Sequence, residues 1–272
     1  MKILIAADME GISGVVNWEQ VIPGQADYGR FRHIMTGDVN AAIRGAFEGG
    51  ASEVLVTDGH YFGRNLLIEE LDPRARLNAG TAPLSMVAGA DTGPAGAMFV
   101  GYHARIGAAS AILDHTWSDE RVANVWLNGR LTGETGLNGA VCGHFDVPVI
   151  MLSGDQTVCA EAREWLGEVE TAVVKQAHGR MAAECLPLAE AQKKIQAAAT
   201  LAVKRLHAGQ GPAPLRLPPP ITVTIDFIQS EMADRAMIFP GARRGPDRHV
   251  EVVADDMVKA YFAFRSLLAL AR

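Results

Sequence analysis

Short apolar runs alternate with longer amphipathic stretches through the first half of the chain. Ile3-Leu4-Ile5 is the first run, and Glu53–Thr57 contains the second. Between them, apolar residues repeat at helical spacing over Asp38–Glu48, and Gly49-Gly50 is a typical helix end. A strand, a helix and a strand at this spacing form a βαβ unit, so the pattern predicts a parallel sheet.

The same pattern predicts further elements. A loop is expected over Ile12–Phe31, and a hairpin is expected to turn at Asn128-Gly129. The other predicted strands are Ala97–Gly101, Ala111–Leu113, Pro148–Leu152 and Thr171–Lys175, and the other predicted helices are Gln156–Leu166 and Leu188–Leu206. The fold class is therefore α/β, with three layers around a mostly parallel sheet.

The composition changes near the C-terminal end of the chain. Residues 209–220 contain five of the thirteen prolines, which indicates a linker between a main region, 1–208, and a smaller α/β subdomain, 221–272. Strands are predicted at Ile221–Ile225 and Val250–Val253. The last helix carries an apolar stripe that packs either on its own sheet or on another helix, and its residues are Met257, Tyr261, Phe264, Leu268 and Ala271.

Composition and charge exclude several classes of function. Of the 272 residues, 49% are hydrophobic and 21% are charged, and the formal net charge is −6. The basic residues are scattered, so we expect neither a nucleic-acid partner nor an anionic membrane surface. No apolar stretch has the length of a membrane span. The three cysteines show no CxxC spacing, which fits reduced thiols and a cytoplasmic protein.

Residues that bind metals follow the apolar runs. Asp8 and Glu10 follow the first run, while His60, His103 and His115 follow later ones. In open α/β sheets the binding crevice lies at the carboxyl ends of the strands, so these side chains are expected to converge there. Glu134 precedes a helical stretch and is a further acid for the same crevice.

Carboxylates and imidazoles are ligands that zinc accepts, and a set of five suits two ions that share a bridging carboxylate. Each residue also has a simpler interpretation, such as a helix-terminal Glu134 or a structural Asp114–His115 pair, and Asp155 is interpreted as a helix cap. The joint position at strand ends favours a metal site. The remaining histidines show no such pattern: His33, His144, His178, His207 and His249.

Five short motifs in order give the chain a family resemblance. They are Asp8-Met9-Glu10-Gly11, Asp58-Gly59-His60, Gly101-Tyr102-His103-Ala104, Leu113-Asp114-His115-Thr116 and Gly133-Glu134. Together they resemble the zinc-dependent D-aminopeptidase family of dipeptide-transport operons, and the likeness extends to about Glu161. One departure is Ala6, where the family usually has Ser; this removes a hydroxyl near Asp8 but no ligand.

The resemblance implies roles for six residues. Asp8, Glu10, His60, His103 and Glu134 match the ligands of two zinc ions, with Asp8 as the expected bridge, and His115 matches the catalytic histidine. The implied activity is removal of N-terminal D-residues of the D-Ala type from short peptides or amides by a metal-activated water. His115 would act as proton shuttle or as base. Region 1–208 would then be the metal-binding catalytic part.

The resemblance also implies assembly. Members of the family form closed homo-oligomers, decamers of two stacked pentameric rings, which admit short peptides. Aromatic residues in predicted loops are candidates for the interfaces: Trp18, Phe31, Tyr61 and Phe62. Two alternatives stay open from the residues, a two-metal phosphoesterase and a non-enzymatic, metal-stabilised oligomeric binding protein. Few basic residues lie near the ligands, with Arg105 the nearest candidate, which argues against a phosphate substrate.

Overall fold

A computed structural model describes residues 1–272, which form twelve strands and six α-helices. The strands are β1 (Lys2–Ala7), β2 (Glu53–Asp58), β3 (Ala75–Asn78), β4 (Gly96–Val100), β5 (Val122–Leu127), β6 (Arg130–Leu131), β7 (Val149–Asp155), β8 (Glu170–Gly179), β9 (Ala182–Cys185), β10 (Ile221–Phe227), β11 (Arg243–Arg244) and β12 (His249–Ala254). The helices are α1 (Tyr28–Glu48), α2 (Glu134–His144), α3 (Gln156–Leu166), α4 (Leu188–His207), α5 (Ser230–Ala236) and α6 (Met257–Leu270).

A seven-stranded sheet organises the molecule, with the order β3-β2-β1-β4-β7-β8-β9. Only the β8–β9 pair is antiparallel, and the other pairs are parallel. Ile3, Leu4 and Ile5 of β1 are completely buried, because helices cover both faces of the sheet. The predicted α/β class with a mostly parallel sheet is therefore confirmed.

Helices α1 and α4 pack against each other on one face, where Val39 and Ile43 meet Ile3 and Ile5. Helices α2 and α3 lie on the opposite face, in the cluster that contains Leu4. None of the six helices combines the length and the hydrophobicity that a membrane crossing requires.

A second, antiparallel sheet has the order β11-β12-β10-β5-β6. Strand β10 pairs with both β5 and β12, so residues 221–272 share this sheet with the predicted hairpin at Asn128-Gly129. The linker stretch, 209–220, has no helix or strand, and its Leu215 and Leu217 pack on the common core. The division of the chain at 209–220 stays a prediction.

The structure shows which of the two expected packings helix α6 adopts. All five residues of its apolar stripe are buried in the core that joins α6 to β10, β12 and α2. The stripe therefore packs within its own chain.

Two predicted elements were wrong. Residues 111–113 form turns instead of a strand, since Ser110 and Leu113 have positive φ angles of 50° and 47°. Helix α1 begins at Tyr28, inside the predicted loop, because tertiary contacts extend it: the Tyr28 hydroxyl and Arg32 Nε both donate to Asn65. Both errors concern segments that distant residues hold in place.

Candidate metal centre

The exits of three adjacent strands bring four of the predicted residues together. Asp8 and Glu10 follow β1, and His60 and His103 follow its neighbours β2 and β4. The strands end level, since Ala7 lies opposite both Asp58 of β2 and Val100 of β4. This convergence is the one that the sequence pattern predicts.

The other two residues come from outside the parallel sheet. Glu134 is the first residue of α2, and it follows the β5–β6 hairpin. His115 lies on an irregular loop and not at the end of a strand, so the predicted position was wrong although the side chain still reaches the crevice. The backbone N–H of His115 donates to the carbonyl of Ala104, which holds the loop beside β4. We call these six side chains the candidate metal centre: Asp8, Glu10, His60, His103, His115 and Glu134.

Short distances join the acids and imidazoles. His60 Nδ1 lies 3.2 Å from both Asp8 Oδ1 and Glu10 Oε2. His103 Nε2 lies 3.4 Å from Asp8 Oδ2 and 3.3 Å from Glu134 Oε1. His115 Nε2 lies 3.8 Å from Glu10 Oε1 and 3.9 Å from Glu134 Oε1, and its ring stacks on that of His103.

Each imidazole is oriented by a backbone carbonyl. His60 Nε2 donates to Val21 at 2.8 Å, His103 Nδ1 to Ala104 at 3.1 Å and His115 Nδ1 to Leu113 at 2.8 Å. The opposite ring nitrogen of each histidine faces the carboxylates. In the neutral ring this nitrogen carries the lone pair, so the carbonyls fix the tautomer that a metal ligand requires.

The electrostatics of the candidate metal centre favour a cation. Its three carboxylates are buried, and their only ion-pair partners are the histidines. Burial and the neighbouring Glu10 raise the pKa of Asp8 to about 7. Burial disfavours a charged His103, yet the carboxylates of Glu134, Asp8 and Glu10 together outweigh burial and raise the pKa of His103 to about 10. The acids therefore attract positive charge strongly, whether as protons or as metal ions.

Two buried atoms of the centre have no hydrogen-bond partner, Glu10 Oε2 and His103 Nε2. Unpaired buried polar atoms are costly unless another group satisfies them. Two overlapping groups of donor atoms, which share His103, are each compact enough to surround an ion: Asp8–Glu10–His103 and His103–His115–Glu134. Oxygen and imidazole donors in this number fit zinc.

Some supporting residues carry no signal in the sequence. Asp58 accepts hydrogen bonds from the backbone of Asn65 and Leu66, and the Asn65 amide donates to the carbonyl of His60. Trp18 packs edge-on to His115, with ring centroids 5.4 Å apart. Asp155 caps α3 as predicted, accepting from Thr157 and Val158. The residues that support His60 were missed because Asn65 lies in a loop with no periodic pattern.

The five histidines without a strand-end pattern lie outside the candidate metal centre. His33, His144 and His207 lie on helices, and His178 and His249 lie on β8 and β12. The four aromatic residues that are candidates for the interfaces differ in their exposure. Phe31 is buried in α1 and Trp18 packs on the centre, whereas Tyr61 and Phe62 are exposed.

The fold and the site together define an α/β protein with a buried carboxylate–imidazole centre at the carboxyl ends of parallel strands. A family model described as D-aminopeptidase matches residues 1–266. A D-aminopeptidase of Bacillus subtilis (strain 168) is 37% identical over 273 residues, which cover 100% of this chain and 98% of that protein. The chain belongs to the D-aminopeptidase family, as its motifs predict.

A solved structure shows the same relationship. The zinc-dependent D-aminopeptidase DppA from Bacillus subtilis, described as a self-compartmentalizing protease, superimposes with a TM-score of 0.94 at 38% identity. The match covers 100% of this chain and 98% of that chain. These relatives support neither the phosphoesterase nor the non-enzymatic alternative.

Proposed function

We propose that this protein is a zinc-dependent aminopeptidase that removes N-terminal D-residues, of the D-Ala type, from short peptides or amino-acid amides. Asp8, Glu10, His60, His103 and Glu134 hold two zinc ions, and His115 moves protons. The observation that carries the proposal is the set of carbonyl-oriented imidazoles that face buried acids, in a chain of the D-aminopeptidase family.

The geometry of Asp8 supports its role as the bridge. Its Oδ1 faces His60 and its Oδ2 faces His103, so the two oxygens point at two different imidazoles. Glu10 lies on the His60 side and Glu134 on the His103 side. A carboxylate in the middle of such an arrangement can contribute one oxygen to each of two ions.

Zinc held by these residues would supply an activated water and would polarise the scissile carbonyl. His115 is suited to the proton transfer, because burial and the neighbouring His103 lower its pKa and keep the ring neutral and able to accept a proton. The bond from His115 Nδ1 to Leu113 directs Nε2 toward the acids. Trp18 packs edge-on to this ring, which is buried.

Peptide hydrolysis tests the proposed activity. We expect purified protein to release D-Ala from D-Ala-D-Ala faster than L-Ala from L-Ala-L-Ala. Addition of a chelator should stop the reaction and addition of zinc should restore it. An equal or greater rate on the L-peptide would contradict the stereochemical part. Hydrolysis of a phosphate monoester without peptidase activity would favour the phosphoesterase instead.

A closed homo-oligomer is the proposed assembly, with the decamer as its expected size. The related zinc-dependent enzyme is described as self-compartmentalizing, and Tyr61 and Phe62, next to His60, are 53% and 62% exposed. Exposed aromatic side chains of this kind are common at interfaces. A cytoplasmic location is proposed as well, because Cys142, Cys159 and Cys185 are all free thiols.

A further inference from the structure

Lys175 of β8 is the one lysine that is buried in the protein, with 1% of its surface exposed. Its ammonium group donates three hydrogen bonds, to the carbonyl oxygens of Glu10 at 2.7 Å, Ile12 at 2.9 Å and Val15 at 2.8 Å. No carboxylate forms an ion pair with it, so carbonyl dipoles alone satisfy the three N–H groups. A buried ammonium is expensive unless all its donors are satisfied, as they are here.

The three carbonyls belong to one segment, residues 10–15, which leaves β1 and contains no helix or strand. The carbonyls of Glu10 and Val15 accept no backbone hydrogen bond, so Lys175 is their partner. Strands β4 and β7 separate β8 from β1 in the sheet. The ammonium thus ties the exit of the central strand to a strand on the other side of the crevice.

The same segment carries Glu10, whose carboxylate faces His60 and His115. Further contacts hold the segment. Ser13 donates to Asp38, and the backbone N–H groups of Gly11, Ile12 and Val15 donate to the carbonyls of Gly101, Met9 and Ile12. The Gly11 N–H belongs to the same peptide group as the Glu10 carbonyl, so Gly101 holds one end of this group and Lys175 holds the other. The orientation of this peptide group, and with it the direction of the Glu10 carboxylate, therefore depends on the bond from Lys175 together with the bond to Gly101.

We propose that Lys175 is a positioning residue for the metal centre: its ammonium fixes the backbone at Glu10 and so directs the Glu10 carboxylate toward the metal. The inference rests on the proposed function, since Glu10 is a ligand only if the centre binds zinc. Groups that orient metal ligands typically change metal affinity 10- to 100-fold when they are removed.

The test measures zinc affinity by chelator competition, starting from metal-free protein whose fold is verified by circular dichroism. Lys175→Met keeps the buried methylenes but removes the three donors, and we expect it to bind zinc about 10- to 100-fold more weakly than wild type. Gln176→Met changes the next, exposed position of β8 and serves as the matched control with unchanged affinity.

Chemical rescue separates positioning from a general loss of stability. Lys175→Ala leaves space for propylammonium, which can restore the three hydrogen bonds, and we expect zinc affinity to recover with propylammonium but not with neutral 1-propanol. The inference about Lys175 would be overturned if Lys175→Met bound zinc with wild-type affinity, or if 1-propanol rescued Lys175→Ala as well as propylammonium does. The proposed metal centre would stand in either case. Absence of zinc binding by the wild-type protein would overturn the proposed metal centre as well.

Discussion

The three imidazoles of the candidate metal centre owe their orientation to carbonyl groups of Val21, Ala104 and Leu113. The ligand types could be predicted from the sequence, because acids and histidines follow apolar runs whose ends meet in a parallel sheet. The carbonyls could not be predicted, since any residue type supplies one. For the same reason Lys175 carries no signal: its partners are backbone atoms of a turn.

A variant of His115 tests whether catalysis and metal binding depend on different residues. Its Nε2 lies farther from the carboxylates than the facing nitrogens of His60 and His103 do. We therefore expect His115→Ala to retain its zinc but to lose roughly 10²- to 10⁴-fold in rate, the range for a lost general acid or base. Elemental analysis and kinetics on D-Ala-D-Ala measure the two effects. Loss of zinc from this variant would make His115 a ligand.

The buried carboxyl group of Glu161 in α3 makes the free energy of unfolding depend on pH. Its Oε2 accepts from the Arg105 backbone, its Oε1 has no partner, and burial raises its pKa from 4.5 to about 7. The folded state thus binds this proton more tightly than the unfolded state. The stabilisation is fully present below pH 4.5 and is lost as pH rises through 7, a difference of about 3 kcal/mol.

We accordingly expect Glu161→Gln to raise the melting temperature relative to wild type more at pH 8 than at pH 5. Scanning fluorimetry measures the melting temperatures, and a chelator is present so that bound metal does not affect the comparison. Glu164→Gln, at an exposed position of the same helix, is the control. An equal rise in melting temperature at both pH values would show that ionisation of Glu161 does not cause the pH dependence.

At the scale of elements, the main strands and the helices α3 and α4 could be predicted because their periodic patterns are local. The predicted strand at 111–113 failed because an apolar run is also what a buried loop contains: Ile112 and Leu113 are buried in turns. The longer α1 and the loop after β2 depend on Asn65, whose contacts lie far away in the sequence.

Asn65 offers a test of that dependence. Its side chain donates to Asp58 and to the carbonyl of His60, and it accepts from Tyr28. Asn65→Ala should destabilise the protein by about 3 kcal/mol, at roughly 1 kcal/mol for each bond. Zinc affinity should also fall, since His60 loses its support. Urea unfolding and chelator competition measure both effects. Asn124→Ala in β5 is the control, and an unchanged zinc affinity in Asn65→Ala would contradict the role.

At the scale of the whole molecule, residues 221–272 complete a sheet with β5 and β6, although the prolines at 209–220 suggest a break in the chain. Strand pairing across such a distance leaves no local pattern. The apolar stripe of α6 is buried in this core. Of the predicted interface residues, Tyr61 and Phe62 are the ones whose side chains are exposed.

Phe62→Glu tests where copies of the chain meet. Light scattering coupled to size exclusion should give the wild type a mass several times 29.0 kDa and the variant a smaller one, because a buried glutamate disfavours the interface. Ile238→Glu, at a residue that is 72% exposed, is the control. A monomeric wild type would refute the assembly, and an unchanged mass for Phe62→Glu would refute this location.

The most direct test of the account is the location of metal in the protein. Anomalous diffraction at the zinc edge, from crystals of zinc-loaded protein, should show two peaks about 3.5–4 Å apart. We expect Asp8 between the peaks, with Glu10 and His60 at one and His103 and Glu134 at the other. No peak among these residues, or zinc bound only elsewhere in the chain, would contradict the account.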